Sequence, residues 1–361
     1  MIPIHPRIEK LQPYVAGSRP EEGVRALKLN QNENRHPLSP KVEAAIRTLS
    51  PEMLQEYPDA RCDRLREALS AVHGVPAPSI LCGNGSSELI TLLFRTFLRE
   101  GDTVAIPDPT FALYANVADI AGVHVRAVPT DANFHIEPLA LAAAAPQAVI
   151  LANPNAPTGV CVTADRIEKL LQSYNGLVVI DEAYIDFAPD GTSVLGLTER
   201  YDHLLVLRTF SKAYSLSGAR VGFAAGNKRL IDAMLKGRET FSVNGFAQLV
   251  AEAAVTDQAH KNEMVGRILS TRERFAASLQ AAGWTVWPST TNFMLVSPPP
   301  GSLGAQEVYE GLLARHIYVR YFAAPRLDDK LRISVGTDED MDLLLDALLR
   351  IERGGDAAMN R

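Results

Sequence analysis

The sequence predicts an α/β protein: a mostly parallel, seven-stranded sheet covered by helices, followed by a smaller α+β C-terminal domain. Three observations predict it. From about residue 79 to 225, short β-rich runs alternate with helical patterns, as strands joined by crossover helices do. Several runs are apolar throughout, including Val178–Ile180 and Leu204–Leu207, as strands buried on both faces require. The length, 361 residues, points to two domains at about 150 residues each.

Residues 1–30 are rich in Pro and Gly, show no clear period and read as an N-terminal arm. Ser39-Pro40 opens a helix, with Ser as N-cap and Pro in the first turn. The predicted strands are Ile80–Cys82, Thr103–Ile106, His124–Val128, Ala148–Ala152, Leu177–Ile180, Leu204–Leu207 and Arg220–Ala224. Among the intervening helices, Ser87–Arg99 carries Leu89, Ile90, Leu93, Phe94 and Phe97 on one face at helical spacing. These elements make up a large domain over residues 31–245. After Asn244 a helical pattern runs to about Ala281. Strands near Thr285–Trp287 and Asn292–Val296, a helix Ala305–His316, a strand Leu331–Val335 and a helix Glu339–Arg350 complete a small domain over 246–361. The Pro-rich stretch at 297–302 reads as a surface loop, and the tail Gly354–Arg361 as mobile. There is no internal repeat.

Apolar residues make up 47% and charged residues 22% of the chain, with a net charge of −6. This composition excludes disorder and argues against a surface that coats nucleic acid. An anionic ligand must then be held by a few placed arginines or helix N-termini. No apolar run reaches the ~18 residues of a membrane span, and the first residues lack the apolar core of a secretory signal. Cys62, Cys82 and Cys161 are odd in number and scattered, which fits a reducing cytoplasm. No His or Cys pair has zinc-site spacing, so no metal is expected.

The chemistry concentrates at the predicted strand ends. Lys212 follows an apolar strand in Thr209-Phe-Ser-Lys212 and sits on a turn at the sheet edge, with Arg220 eight residues on. A lysine held beside another cation loses proton affinity and becomes an amine nucleophile; the plain alternative is a solvated surface lysine. Leu177–Ile180 runs into Asp181, with Tyr184 three residues later. In open α/β sheets ligands bind beyond such carboxyl ends, although Asp181 could equally be a helix N-cap. Asn153-Pro-Asn-Ala-Pro-Thr-Gly159 forms a rigid turn. Gly85, Ser86 and Ser87 open a strong helix, and their N–H groups suit a phosphate. Together these residues supply a phosphate cradle, an amine, an acid and a cation. That set matches pyridoxal phosphate chemistry, with the amine forming the imine and the acid keeping the ring nitrogen protonated.

The ordered series Leu11-Gln-Pro-Tyr14, Leu29-Asn-Gln-Asn-Glu33, Tyr57-Pro58, Gly85-Ser-Ser-Glu88, Pro109-Thr-Phe111, Pro154-Asn-Ala-Pro-Thr-Gly159, Asp181-Glu-Ala-Tyr184, Thr209-Phe-Ser-Lys212, Arg220 and Leu331-Arg-Ile-Ser-Val-Gly336 resembles the fold-type I pyridoxal-phosphate aminotransferases. Within them it is most similar to the histidinol-phosphate aminotransferase family. The resemblance implies that Lys212 is the Schiff-base lysine and proton shuttle, that Asp181 pairs with the pyridinium nitrogen, and that Tyr184 bonds the ring oxygen. It places Ser86, Ser87, Ser211 and Arg220 on the cofactor phosphate, with Tyr57 reaching it from the second subunit of a homodimer. Phe111 stacks on the ring and Arg332 grips the substrate carboxylate. Ala156 departs from the family's second Asn in that turn. Either Asn155 then supplies the amide to the ring oxygen, or Tyr184 serves it alone; Asn155 is the expectation carried forward.

For substrate, the resemblance implies L-histidinol phosphate with 2-oxoglutarate as acceptor. Arg332 and Arg320 would hold phosphate or carboxylate, since a guanidinium fork matches either. Tyr14 and Asn32 would lie over the substrate. Within the same chemistry, an aromatic amino acid aminotransferase or a threonine-phosphate decarboxylase is the alternative. A cofactor-binding sensor without turnover would expect a fused DNA-binding segment and a basic face.

Overall fold

Residues 2, 4, 6–11 and 17–352 are described by the computed structural model. Tyr14 and the tail Gly354–Arg361, for which a role and mobility were expected, lie outside the described residues. Strands in chain order are β1 (Leu27–Lys28), β2 (Ile80–Gly83), β3 (Thr103–Asp108), β4 (His124–Pro129), β5 (Ala148–Ala152), β6 (Leu177–Asp181), β7 (Leu204–Thr209), β8 (Gly222–Gly226), β9 (Thr285–Val286), β10 (Phe293–Ser297), β11 (Ile317–Tyr318), β12 (Arg320–Tyr321) and β13 (Leu331–Ser334). Seven of them form one sheet in the order β2-β8-β7-β6-β5-β3-β4. Only β8 runs against the rest, so the sheet is mostly parallel, as the sequence predicts.

Two apolar clusters lie on the two faces of this sheet. One holds Val149, Leu151, Val178, Ile180, Leu204 and Val206, and the other Ala148, Ile150, Val179, Leu205 and Leu207. Neighbouring residues of one strand fall in opposite clusters because side chains alternate across the sheet. This two-sided burial explains why the strands are apolar throughout. The helix Gly85–Phe97 begins two residues earlier than predicted and lays Leu89, Ile90, Leu93 and Phe94 into the second cluster. Ser39 caps the helix Pro40–Arg47, its Oγ accepting from the Lys41 N–H at 3.1 Å.

The smaller unit is a sheet β12-β13-β10-β9 covered by the helices Gln258–Ala281, Ala305–Leu313 and Asp338–Glu352. Two expected boundaries move. The long helical pattern after Asn244 splits into Gly245–Val255 and Gln258–Ala281. The first of these packs on the helices Pro40–Arg47 and Asp63–His73. Its Ala247, Val250, Ala251 and Ala254 join the large unit's core, so the junction falls after Val255 rather than at 245/246. Likewise residues 27–29 are not part of a separate arm. β1 pairs in parallel with β11, the Ser334 N–H donates to the Leu29 carbonyl at 2.9 Å, and Leu29 sits in the small unit's core. Among the described residues no helix is long and apolar enough to cross a membrane.

Candidate active site

The parallel strands β3, β5, β6 and β7 end on one edge of the sheet, so the loops following them converge there. β6 ends in Asp181 and β7 in Thr209, three residues before Lys212. Because β8 runs the other way, its first residue Gly222 stands beside both Thr209 and Gly83. The tight turn leading into it, with Arg220 at φ +57°, is therefore at the same edge. The sequence reading began this strand at Arg220; the left-handed backbone there belongs to the turn instead.

Two glycines let Arg220 and the start of the helix Gly85–Phe97 close up at this edge. A Cβ on Gly85 (φ +76°) would stand 2.5 Å from an Arg220 guanidinium nitrogen. One on Gly222 would stand 2.6 Å from the Ser86 backbone nitrogen and 2.8 Å from the Arg208 carbonyl oxygen. Only a hydrogen leaves room for this approach. Arg220 Nη1 donates to Ser211 Oγ and to the Ser217 carbonyl, each at 3.3 Å, and Ser211 Oγ also accepts from Thr209 Oγ1 at 3.0 Å. Ser86 and Ser87 are half-buried in the first turn of the helix Gly85–Phe97. N–H groups, hydroxyls and a guanidinium thus gather at this helix N-terminus, a set of donors that suits an anion.

At the same edge are the two titratable groups. Lys212 Nζ donates to the Gln31 carbonyl at 3.0 Å and lies 5.8 Å from the centre of the Tyr184 ring. Burial lowers its proton affinity to about 7; the Arg332 and Arg220 charges act in the same direction, against Glu33. Asp181 is 4% exposed, and burial pushes its carboxyl up to about 6, opposed by hydrogen bonds from Tyr114 and the Ala183 N–H. The Tyr184 hydroxyl accepts from Asn32 Nδ2 at 2.8 Å, and its ring meets Phe293 edge-on at 5.1 Å.

Asn32 is held in the left-handed region (φ +56°), costly for a non-glycine residue. Ser334 Oγ accepts from its N–H at 2.8 Å and donates to its side-chain oxygen at 2.9 Å, while Asn292 Nδ2 bonds its carbonyl at 3.0 Å. Arg332 Nη2 donates to the Asn30 carbonyl at 2.8 Å. Across the β12–β13 ladder Arg320 stands opposite Arg332, and both guanidiniums lie near the Phe322 ring, at 5.2 and 5.5 Å. Phe111 is half-buried and meets the Tyr114 ring edge-on at 5.5 Å.

Asn155, expected at the ring oxygen, lies inside the turn that follows β5. It is fully buried and its amide is already used. Nδ2 donates to the Pro109 carbonyl and to Thr158 Oγ1, both at 3.0 Å, and Oδ1 accepts from Thr110 Oγ1 at 2.7 Å. Both N–H groups of the Asn155 amide are thus committed to closing the turn. Tyr57 stands apart: it is 83% exposed, stacks on Phe241 at 4.6 Å, and among the described residues makes no hydrogen bond to Lys212, Asp181 or Arg220. Sequence reasoning missed Tyr114, Gln31, Asn292, Ser334 and Phe322. Ser334 alone had a signal, since strand alternation puts it on the face of Arg332.

The chain matches the family model "Aminotransferase class I and II" over residues 24–348. It is 39% identical to "Histidinol-phosphate aminotransferase 1" of Nostoc sp. over 94% of this chain and 96% of that one. It is 38% identical to the histidinol-phosphate aminotransferase of Geotalea daltonii over 97% and 100%. Among solved structures, the histidinol-phosphate aminotransferase of Sinorhizobium meliloti in complex with pyridoxal 5'-phosphate superposes with a TM-score of 0.90 at 28% identity, covering 97% of this chain and 98% of that one. The half-buried amine and the buried acid fit that likeness, and the chain belongs to the class I and II aminotransferase family as one of its enzymes.

Proposed function

We propose that this aminotransferase moves the amino group of L-histidinol phosphate to 2-oxoglutarate, giving imidazole acetol phosphate and glutamate, in two half-reactions of ping-pong type. Pyridoxal phosphate is the cofactor. The observation that carries the reading is the meeting of Lys212, Asp181 and Arg220 at one sheet edge in a chain whose full-length relatives are histidinol-phosphate aminotransferases.

When bound, the cofactor supplies an aldehyde for amines and a protonated ring that withdraws electrons. The protein's residues do the rest. Ser86, Ser87, Ser211 and Arg220 hold the phosphate and so fix the ring's position. Asp181, as carboxylate, accepts from the protonated ring nitrogen and stabilises its charge. Tyr184 bonds the ring oxygen, Phe111 covers the ring face, and Asn32 holds the Tyr184 hydroxyl in place. Lys212 has lost most of its affinity for a proton by neutral pH, so it serves as the base that takes a proton from the substrate Cα and returns it. Arg332 and Arg320 face the substrate's anionic end, phosphate in one half-reaction and carboxylate in the other.

A homodimer completes the reading, with Tyr57 bonding the cofactor phosphate of the partner's site. Its supports are the exposure of Tyr57 and of the neighbouring Leu54, 87% exposed. The free thiols Cys62, Cys82 and Cys161 suit the reducing cytoplasm. The test is an absorbance scan of the purified protein with pyridoxal phosphate. A visible band that L-histidinol phosphate removes and 2-oxoglutarate restores supports the proposal. A band that responds to phenylalanine or threonine phosphate instead moves the substrate assignment, and no band at all ends it.

A further inference from the structure

Asp181 can serve a protonated ring nitrogen only as a carboxylate, because a neutral carboxyl would present a donor of its own. Its surroundings work against that state: it is almost fully buried, and burial raises its proton affinity. Glu182, the next residue, adds a like charge. Two donors oppose this. The Ala183 N–H reaches Oδ1 at 3.1 Å, and the Tyr114 hydroxyl reaches Oδ2 at 2.8 Å. The backbone donor comes with the turn after β6. The hydroxyl comes from a residue 67 positions away in the chain.

Tyr114 lies in the first turn of the helix Leu113–Ala121 and is wholly buried. Phe111 meets its ring edge-on. Burial and the nearby Asp181 charge, with a smaller contribution from Tyr184, hold its hydroxyl well above the usual range for a phenol, so it stays a donor at any working pH. We propose that Tyr114 is the positioning residue of this site: its buried hydroxyl holds Asp181 ionised and aimed, leaving a carboxylate lone pair for the protonated ring nitrogen. The inference deepens the cofactor reading above and rests on it. It also makes the helix after Phe111 serve two ends of the ring, with Phe111 at its face and Tyr114 behind its acid.

The test compares wild type, Tyr114→Phe, Asp181→Asn and the double variant, each as full-length protein loaded with pyridoxal phosphate. Tyr114→Phe keeps the ring and its packing. It is expected to lower kcat/KM roughly ten- to a hundredfold, the range for losing a hydrogen bond to a charged group. The midpoint of the pH titration of the cofactor's visible band is also expected to rise. As the shared proton moves from the ring nitrogen to Asp181, the ring loses positive charge and neighbouring nitrogens hold their protons more tightly. If Tyr114 acts through Asp181, adding Tyr114→Phe to Asp181→Asn changes neither quantity by more than about twofold. Equal losses in both backgrounds, or an unmoved midpoint in Tyr114→Phe, overturn the role of Tyr114. A wild-type protein with no visible band overturns the cofactor reading instead.

Discussion

In the proposed reaction the chemistry turns on Lys212, and its property follows from where the chain puts it. An ammonium enclosed by protein, with guanidiniums from Arg332 and Arg220 nearby, gives up its proton about where water is neutral. Capture of pyridoxal phosphate by the cofactor-free protein, trapped by borohydride, should therefore rise with pH through a midpoint near 7 and be lost in Lys212→Ala. A midpoint near 10 would show an ordinary solvated lysine. The unfolded chain keeps this proton to about 10.4. Between about 7 and 10 it therefore binds more protons than the folded one, and this group's contribution to stability rises with pH across that window. Lys212, Asp181, Tyr184 and Arg220 were legible because each stands next to a buried strand in a motif of fixed order. Tyr114 was not, because nothing local links a helix residue to an acid 67 positions later. For a related reason the sequence shows the Asn155 amide but not that Pro109 and Thr158 take its donors.

At the scale of elements, the two strands that carry the acid and the lysine are tied together on their far side. Glu182, just past the end of β6, is 1% exposed. It accepts from Arg208 of β7 at 2.9 Å, from Ser193 Oγ and from the Val194 N–H at 2.7 Å. Arg208 also approaches His73 Nδ1 at 3.4 Å. Burial first, and then this cation, lower the His73 pKa to about 4, so the ring is neutral at pH 7. Arg208→Met should cost about 3–5 kcal/mol of stability, since it leaves a buried carboxylate without its cation. Arg208→Met with Glu182→Leu should recover most of that loss in denaturant unfolding; no recovery would show that the pair is not acting as a unit. The strands themselves read clearly from sequence because two-sided burial writes them as apolar runs. Two-residue strands such as β1, β11 and β12 have no period to detect. The reversed direction of β8 left no mark on its composition.

For the whole molecule, Ile46, Met53, Leu54, Tyr57 and Phe246 are exposed on or just after the helices Pro40–Arg47, Glu52–Gln55 and Gly245–Val255, the third of which packs on the other two. The proposed dimer would use these exposed apolar side chains as its interface. Sedimentation of the wild type should give a dimer, and Leu54→Asp should shift it toward monomer. Because Tyr57 would then leave its partner's site, the monomer should also bind pyridoxal phosphate more weakly than the dimer. A monomeric wild type with full activity would refute the shared site. Sequence alone could not say which core takes Leu29 and which takes Ala247, since that is decided by contacts far along the chain.

Those distant contacts set an order for the molecule's birth on the ribosome. Asn32 meets Ser334, and Asn30 meets Arg332, each across 302 residues. At about 5–20 residues per second, the segment that shelters Lys212 waits roughly 15–60 s for its other half to be translated. A nascent chain halted before β13 would carry Asp181, Lys212 and Arg220 already made, yet have nothing to hold the Asn30–Asn32 stretch over them. The lysine would stay wet and cationic until β13 had been translated.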